Sequence, residues 1–289
     1  MVPHQGHCGA VPPAPLVWLE GVSGNYALTF LSMTNAPKDS THRFSSRVGP
    51  YAKYRPHYPA AILNILTSAC VLSPASVIAD VGSGTGILTE LFLKNGNSVF
   101  GVEPNREMRE AGEILLRDYS RFTSVAGEAE ATTLAESSVD LIAAGQAFHW
   151  FDCQRARREF LRILKPQGWV VLVWNFRCTS GTPFLEAYEQ LLLKYTTDYE
   201  GVASKQTDRG AVESFFGKGC FRSEVLRNHQ NFDFEGLKGR LLSSSYTIEA
   251  GHPQYEAMLR DLESIFKSHQ ANGTVRFEYD TTVYYGQLE

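Results

Sequence analysis

The sequence predicts an α/β fold, doubly wound around a mostly parallel sheet. Three observations carry that expectation. Short apolar runs alternate with amphipathic helical segments from Pro59 to Asn175. A glycine-rich turn, Asp80-Val-Gly82-Ser-Gly84-Thr-Gly86, joins the first apolar run to the helix after it. The last run, TVRFEYDTTVYYGQL, alternates apolar and polar positions as a strand does. Strands separated by helices need crossover connections, and those build parallel sheets with helices on both faces.

The elements follow in order. PAAILNILTSACVL carries helical apolar spacing, with Pro56 and Pro59 stiffening the chain before it. SVIADVG reads as a buried strand, ILTELFLKN as a helix, SVFGVE as a strand and NREMREAGEILLRD as a helix. FTSVAG and VDLIAAG read as strands, QRARREFLRILK as a helix and WVVLVWN as a strand. Beyond Asn175 the pattern loosens into helices around PFLEAYEQLLLKY, LKGRLLSSS and YEAMLRDLESIFKSH. Two late strands joining one edge would make the sheet mixed.

Bulk properties bound the function. A net charge of −4 argues against a general nucleic-acid binder, which needs clustered Lys and Arg. The apolar runs fall short of the roughly 20 residues that span a bilayer. Five cysteines, odd in number and without a CxxC, fit a reduced cytoplasmic protein with no disulfide framework. No His, Asp or Glu cluster has metal-ligand spacing, so no metal is expected. Residues 1–32 hold four prolines and no Lys or Arg, and they lack the basic region of a signal peptide. They read as a disordered upstream extension before Met33. Residues 33–72 then form a flap and first helix, 73–175 a cofactor-binding core, and 176–289 the acceptor-side helices and final strands of the same domain.

The glycine turn suits a ligand that the backbone must approach closely. Glu103 ends the second strand about 20 residues on, where an acid accepts both hydroxyls of a ribose. A dinucleotide fingerprint would require Gly or Ala where Ile87 stands, and no Gly-Lys-Ser/Thr of a phosphate-binding loop follows.

The pattern Asp-x-Gly-x-Gly-x-Gly resembles the first motif of class I S-adenosylmethionine-dependent methyltransferases. Gly127-Glu128-Ala129-Glu130 is similar to the family's adenine-contacting segment after the third strand. Leu164-Lys165-Pro166-Gln167-Gly168-Trp169 resembles its LxPGG turn, with Gln167 in place of a glycine. The resemblance covers roughly Phe44 to Asn175. It implies a Rossmann-like, seven-stranded sheet, a helical cap or insertion in the C-terminal part, and S-adenosyl-L-methionine as cofactor. The cofactor would lie on Asp80, Gly82, Ser83, Gly84, Thr85 and Gly86, with Glu103, Pro104 and Met108 along the ribose and adenine. Gly127, Glu128 and Ala129 would complete the adenine side, and Gln146 and Ala147 the methionine end.

QAFHWFD, Gln146 to Asp152, together with YAKYRPHYP upstream, resembles a branch that includes trans-aconitate methyltransferase. That resemblance implies a small, carboxylate-bearing acceptor near Tyr54, Tyr58, His149 and Trp150, with Tyr51 and Arg55 closing over the cofactor. Between Lys38 and His57 five Lys or Arg (Lys38, Arg43, Arg47, Lys53, Arg55) face one acid, Asp39, and tyrosines alternate with them. Such a flap can hold a carboxylate bidentately and a cation on its rings. His149 is the candidate catalytic residue, as a general base or as a positioning group for the acceptor. Trp150 and Phe151 also fit plain core packing. The expected partner is a small molecule, with no nucleic acid or membrane, on a monomer or homodimer. A non-catalytic S-adenosylmethionine-binding sensor or partner subunit remains the alternative.

Overall fold

Apolar runs buried on both faces pair side by side here, because each carries branched or small side chains in both directions. The structure is a computed structural model that describes residues 54–196, 209–244 and 246–288. The expected upstream extension, the flap cations Lys38, Arg43, Arg47 and Lys53, and Tyr51 lie outside the described residues.

Seven strands form one sheet: β1 (Val77–Val81), β2 (Ser98–Val102), β3 (Phe122–Val125), β4 (Val139–Gly145), β5 (Leu164–Arg177), β6 (Phe221–Phe232) and β7 (Val275–Gly286). Their order is β3-β2-β1-β4-β5-β7-β6. The first five are parallel, and β7 runs antiparallel to both β5 and β6. The reversal of order between β1 and β4 opens a crevice at the carboxyl ends of the strands, where open α/β sheets take ligands.

The intervening helices are α1 (Ala61–Ala69), α2 (Ile87–Lys94), α3 (Arg106–Leu115) and α4 (Cys153–Ile163). Then come α5 (Pro183–Tyr195), α6 (Arg209–Phe216), α7 (Phe234–Leu242) and α8 (Tyr255–His269). Side-chain alternation sorts the core into layers. Ala79, Val81, Ile142, Leu172 and Trp174 meet Phe160 of α4 and Phe215 of α6 on one face. Ile78, Leu141, Val171 and Val173 meet Ile62 and Leu66 of α1 and Phe92 of α2 on the other. A third cluster joins α5, α7 and α8 to Phe277 and Tyr279 of β7. Burying each large apolar side chain contributes about 1.5–3 kcal/mol, so these faces fix the strand register.

One expected turn is folded into a strand. LKPQGW does not precede the fifth strand; β5 starts at Leu164, and the pairing slips from Val139↔Leu164 to Leu141↔Trp169. The extra residues bulge out, with Gln167 at φ +64. A Cβ at Gly168 would stand 2.7 Å from Leu164 Cδ2 and 3.0 Å from the Lys165 carbonyl, so the chain must be bare there. Gln167 holds a left-handed backbone that costs an L residue about 1–2 kcal/mol. Its carbonyl accepts from Gln287 Nε2 at 2.7 Å, a contact that needs no side chain at position 167. Gln167→Gly is therefore expected to raise the melting temperature by about 1–3 °C, read by calorimetry. A fall instead would show that the glutamine side chain secures the bulge.

Candidate active site

The glycine turn leaves β1 and is held from both sides. Gly82 N and Ser83 N donate to the Val102 carbonyl at the end of β2, at 2.9 and 3.2 Å. Gly82 has φ +69, and a Cβ on it would overlap Ala147 Cβ at 2.5 Å. The turn thus rests directly on the QAFHWFD segment. Gly84 differs. It has φ +56, yet a Cβ there would meet no atom within 4 Å. Its left-handed backbone faces open space.

Glu103 reaches back to the same turn. Its Oε2 accepts from Gly84 N at 2.8 Å and its Oε1 from Asn105 N at 2.9 Å. Burial raises its pKa, while those two backbone donors and Arg109 pull it down. Asn105 then caps α3, accepting from Met108 N at 2.8 Å. Asp80 lies deeper, fully buried, with Oδ2 accepting from Thr89 Oγ1 at 2.6 Å and no partner for Oδ1. Burial, with the nearby Glu103 charge adding, pushes the Asp80 carboxyl up to about 7. A half-satisfied buried carboxyl favours a positively charged neighbour.

The segment after β4 makes a sharp exit. Gln146 has φ +55; its N–H donates to the Val173 carbonyl at 2.9 Å and its Nε2 to the Asn175 carbonyl at 3.0 Å. Gln146 Oε1 is buried without a partner. Such strain persists only where neighbours over-determine it. Phe148, His149 and Trp150 form one short 3-10 turn, after which Asp152 caps α4 by accepting from Gln154 N and Arg155 N, each at 3.1 Å. Glu130 Oε1 accepts from Asp152 N at 2.6 Å, tying the loop after β3 to this turn.

The arrangement is a nucleoside-type crevice: a bare turn, an acid at the next strand end, and unsatisfied polar atoms beside them. A methyltransferase-domain family model matches residues 79–172, which span β1 to β5. An uncharacterized methyltransferase-like protein of Schizosaccharomyces pombe is 33% identical over 250 residues, 85% of this chain and 95% of that one. The chain belongs to the S-adenosylmethionine-dependent methyltransferases. A second S. pombe protein, an uncharacterized methyltransferase, is 29% identical over 78% of this chain and 87% of its own length. A solved structure from Anaeromyxobacter dehalogenans, assigned as a type II methyltransferase, shares the fold at 20% identity with a TM-score of 0.63, covering 81% of this chain and 98% of that one.

The cofactor of this methyltransferase is S-adenosylmethionine, and the residues present fit it. Gly84 presents a bare backbone to open space, and the Asp80 and Glu103 carboxyls suit a ligand bearing positive charge and vicinal hydroxyls. Ser83, Thr85 and Gly86 share the same turn, with Thr85 Oγ1 buried and unpartnered. Gly127 and Ala129 sit in the loop after β3, with Ala129 buried and Glu128 exposed. Pro104 is exposed, and Met108, in the first turn of α3, is buried.

The segment Tyr54–Tyr58 crosses the carboxyl edge and is pinned there. Asn228 Nδ2 donates to the His57 carbonyl at 2.8 Å, and Gln230 Nε2 to the Arg55 carbonyl at 3.3 Å. Arg55 Nη2 donates to the Ser243 carbonyl at 2.9 Å. The Tyr58 hydroxyl stands 2.6 Å from where a Gly145 Cβ would be, at the end of β4. Tyr58 and Gln146 thus meet the same edge, while Tyr54 packs on Gly239 of α7.

QAFHWFD divides by side. Phe148 and Phe151 are core: Phe148 stacks edge-on with Phe151, Trp174 and Phe215. Trp150 is half-buried against that core, and the His149 ring lies 5.0 Å from the Trp150 ring. Asn175 is the residue that the sequence undersold. It is 5% exposed and accepts at Oδ1 from Thr281 and Asn228, while its Nδ2 donates to the Pro56 carbonyl at 3.4 Å. An Asn ending an apolar strand was the available signal, since a buried amide must find partners. Among the described residues no group of three or more His, Cys, Asp or Glu could hold a metal, and no helix is long and apolar enough to cross a membrane.

Proposed function

We propose that this methyltransferase methylates a small, carboxylate-bearing organic molecule at the carboxyl edge of β4 and β5. The observation behind the reading is the seating of Tyr54–Tyr58, which brings the end of a basic, tyrosine-rich stretch to the edge where the glycine turn opens. Resemblance of QAFHWFD and YAKYRPHYP to the trans-aconitate branch supports the same acceptor class.

When bound, S-adenosylmethionine supplies an electrophilic methyl group on a positively charged sulfur. Glu103 accepts hydrogen bonds from the ribose hydroxyls while its own backbone donors hold it in place. Asp80 offers negative charge to the cationic end, and Gln146 and Ala147 border the methionine portion. Gly127, Glu128, Ala129, Pro104 and Met108 flank the adenine, and Arg55 covers the cofactor. Tyr54, Tyr58, His149 and Trp150 line the acceptor side. The work of these residues is orientation: displacement at carbon needs the nucleophile in line and about 3–3.5 Å away. A carboxylate nucleophile carries no proton to remove, so His149 serves as a hydrogen-bonding guide. Cys70, Cys178 and Cys220 are free thiols, which supports a reducing, cytoplasmic setting.

Screening small organic acids and their matched amides with methyl-labelled S-adenosylmethionine tests the reading. Label should enter an acid as a base-labile ester and leave its amide unlabelled. Label entering amines or alcohols instead would overturn the acceptor class.

A further inference from the structure

Arg240, on α7, is a charged group for which the cofactor site has no use. It is 6% exposed, and no carboxylate pairs with it among the described residues. Its Nε donates to the Tyr279 hydroxyl at 3.3 Å and its Nη1 to Ser244 Oγ at 3.0 Å. A guanidinium has five N–H donors in a flat fork, so two neutral hydroxyls leave both its charge and part of its fork unmatched. Burying a cation without an anion is costly, and an apolar side chain of the same length would seat α7 without that cost. Nor does the neighbouring Tyr188 supply the charge, because burial pushes its hydroxyl above the ordinary tyrosine range. Arg177 nearby shows the contrast, since it is ion-paired with Glu189.

The position connects Arg240 to the reacting edge. Tyr279, which accepts from Arg240, donates to Gln230 Oε1 at 2.9 Å, and Gln230 holds the Arg55 carbonyl. Tyr279 pairs with Arg177 across β5 and β7, and Thr281 pairs with Asn175. One two-residue step along β7, about 7 Å, therefore separates the hydroxyl that holds Arg240 from the one that holds Asn175. Gln146 donates to that same Asn175.

We propose that Arg240 is the base of a carboxylate-binding subsite, taking a second acidic group of the acceptor while the reacting group lies beside Gln146 and His149. This rests on the acceptor lying at that edge. A planar fork with one positive charge matches a carboxylate bidentately, whereas a doubly charged phosphate would call for a second unpaired cation, and Arg177 is paired. The acceptor is accordingly a short molecule bearing at least two carboxylates.

The test uses full-length protein with formate, acetate, succinate, succinamide and inorganic phosphate at equal ionic strength, read by thermal shift and by titration calorimetry. Wild type should be stabilised saturably by the carboxylates, most by succinate, and not by succinamide. Arg240→Met should keep its fold, bind S-adenosylhomocysteine as wild type does, and lose at least tenfold in succinate affinity. Tyr279→Phe, which keeps the ring but frees the guanidinium, should show a smaller loss. An equal carboxylate response in Arg240→Met and wild type would overturn the subsite, as would no carboxylate response in wild type. A response to phosphate and to no carboxylate would overturn the carboxylate assignment. Failure of wild type to bind S-adenosylhomocysteine would instead strike the cofactor site, and succinate binding through Arg240 is read separately from it.

Discussion

Gly84→Val is expected to remove S-adenosylmethionine binding while leaving the fold in place. Two physical terms separate at this position. The backbone sits at φ +56, which a β-branched residue adopts at a cost of about 1–2 kcal/mol. That cost lowers the melting temperature by a few degrees for a chain of this length, without unfolding it, because a Cβ at Gly84 meets no neighbour within 4 Å. The second term is occlusion. The valine methyls enter the open space beside Gly84, so a ligand can no longer lie against the backbone. Calorimetry with S-adenosylhomocysteine should show affinity reduced by at least about 100-fold, equivalent to roughly 2.7 kcal/mol. Gly84→Ala carries similar backbone strain with less bulk, and should lie between wild type and Gly84→Val. Equal affinity in all three proteins would mean that the open space at Gly84 is not the cofactor's. Gly82 makes the useful contrast. Its missing Cβ is filled by Ala147 at 2.5 Å, so a side chain there should damage the fold itself.

The parts of this fold that were legible in the sequence are those buried on two sides. β1, β2, β4 and β5 carry apolar residues in both directions, and the helices between them carry one apolar stripe each, so period alone separates strand from helix. β7 was legible through its alternation. β6 was not: it lies at the sheet edge, Arg222 to Val225 are all exposed, and the half-buried alternate positions beyond them include the polar Asn228 and Gln230, so no apolar period survives in FRSEVLRNHQNF. α6 is eight residues long and opens with Arg-Gly, too short and too weak a helix former to stand out. In the candidate site, the glycine turn and Glu103 were readable because their chemistry depends on spacing within the chain. Asn228, Gln230, Thr281 and Arg240 were not, since they matter through contacts more than 30 residues away in sequence. The bulge at Gln167 escaped for a related reason, because it is a register slip between β4 and β5 rather than a property of either strand.

His149→Ala should act on acceptor binding more than on turnover. The imidazole is placed by structure on both sides of it. Gln146 fixes the chain before it through Val173 and Asn175, and Asp152 starts α4 three residues after it, with Glu130 accepting from the Asp152 amide. A ring so placed beside Trp150 can direct a hydrogen bond at a carboxylate, and a lost hydrogen bond to a charged group costs about 1.5–3 kcal/mol. For a carboxylate acceptor that loss appears as a KM raised by about 10- to 100-fold with kcat changed far less, the pattern of binding shared by ground and transition states. His149→Asn retains a side-chain donor and should recover part of the affinity. Were the acceptor a hydroxyl or an amine, the imidazole would have to take its proton. His149→Ala would then lower kcat by about 10²–10⁴-fold, and His149→Asn would recover nothing. The pH profile of kcat decides between the two roles. A wild-type limb titrating in the ordinary histidine range, about 6.5, and absent from His149→Ala would make His149 the base. A flat kcat profile in both proteins, with the defect confined to KM, is the result expected of a group that guides an acid already ionised.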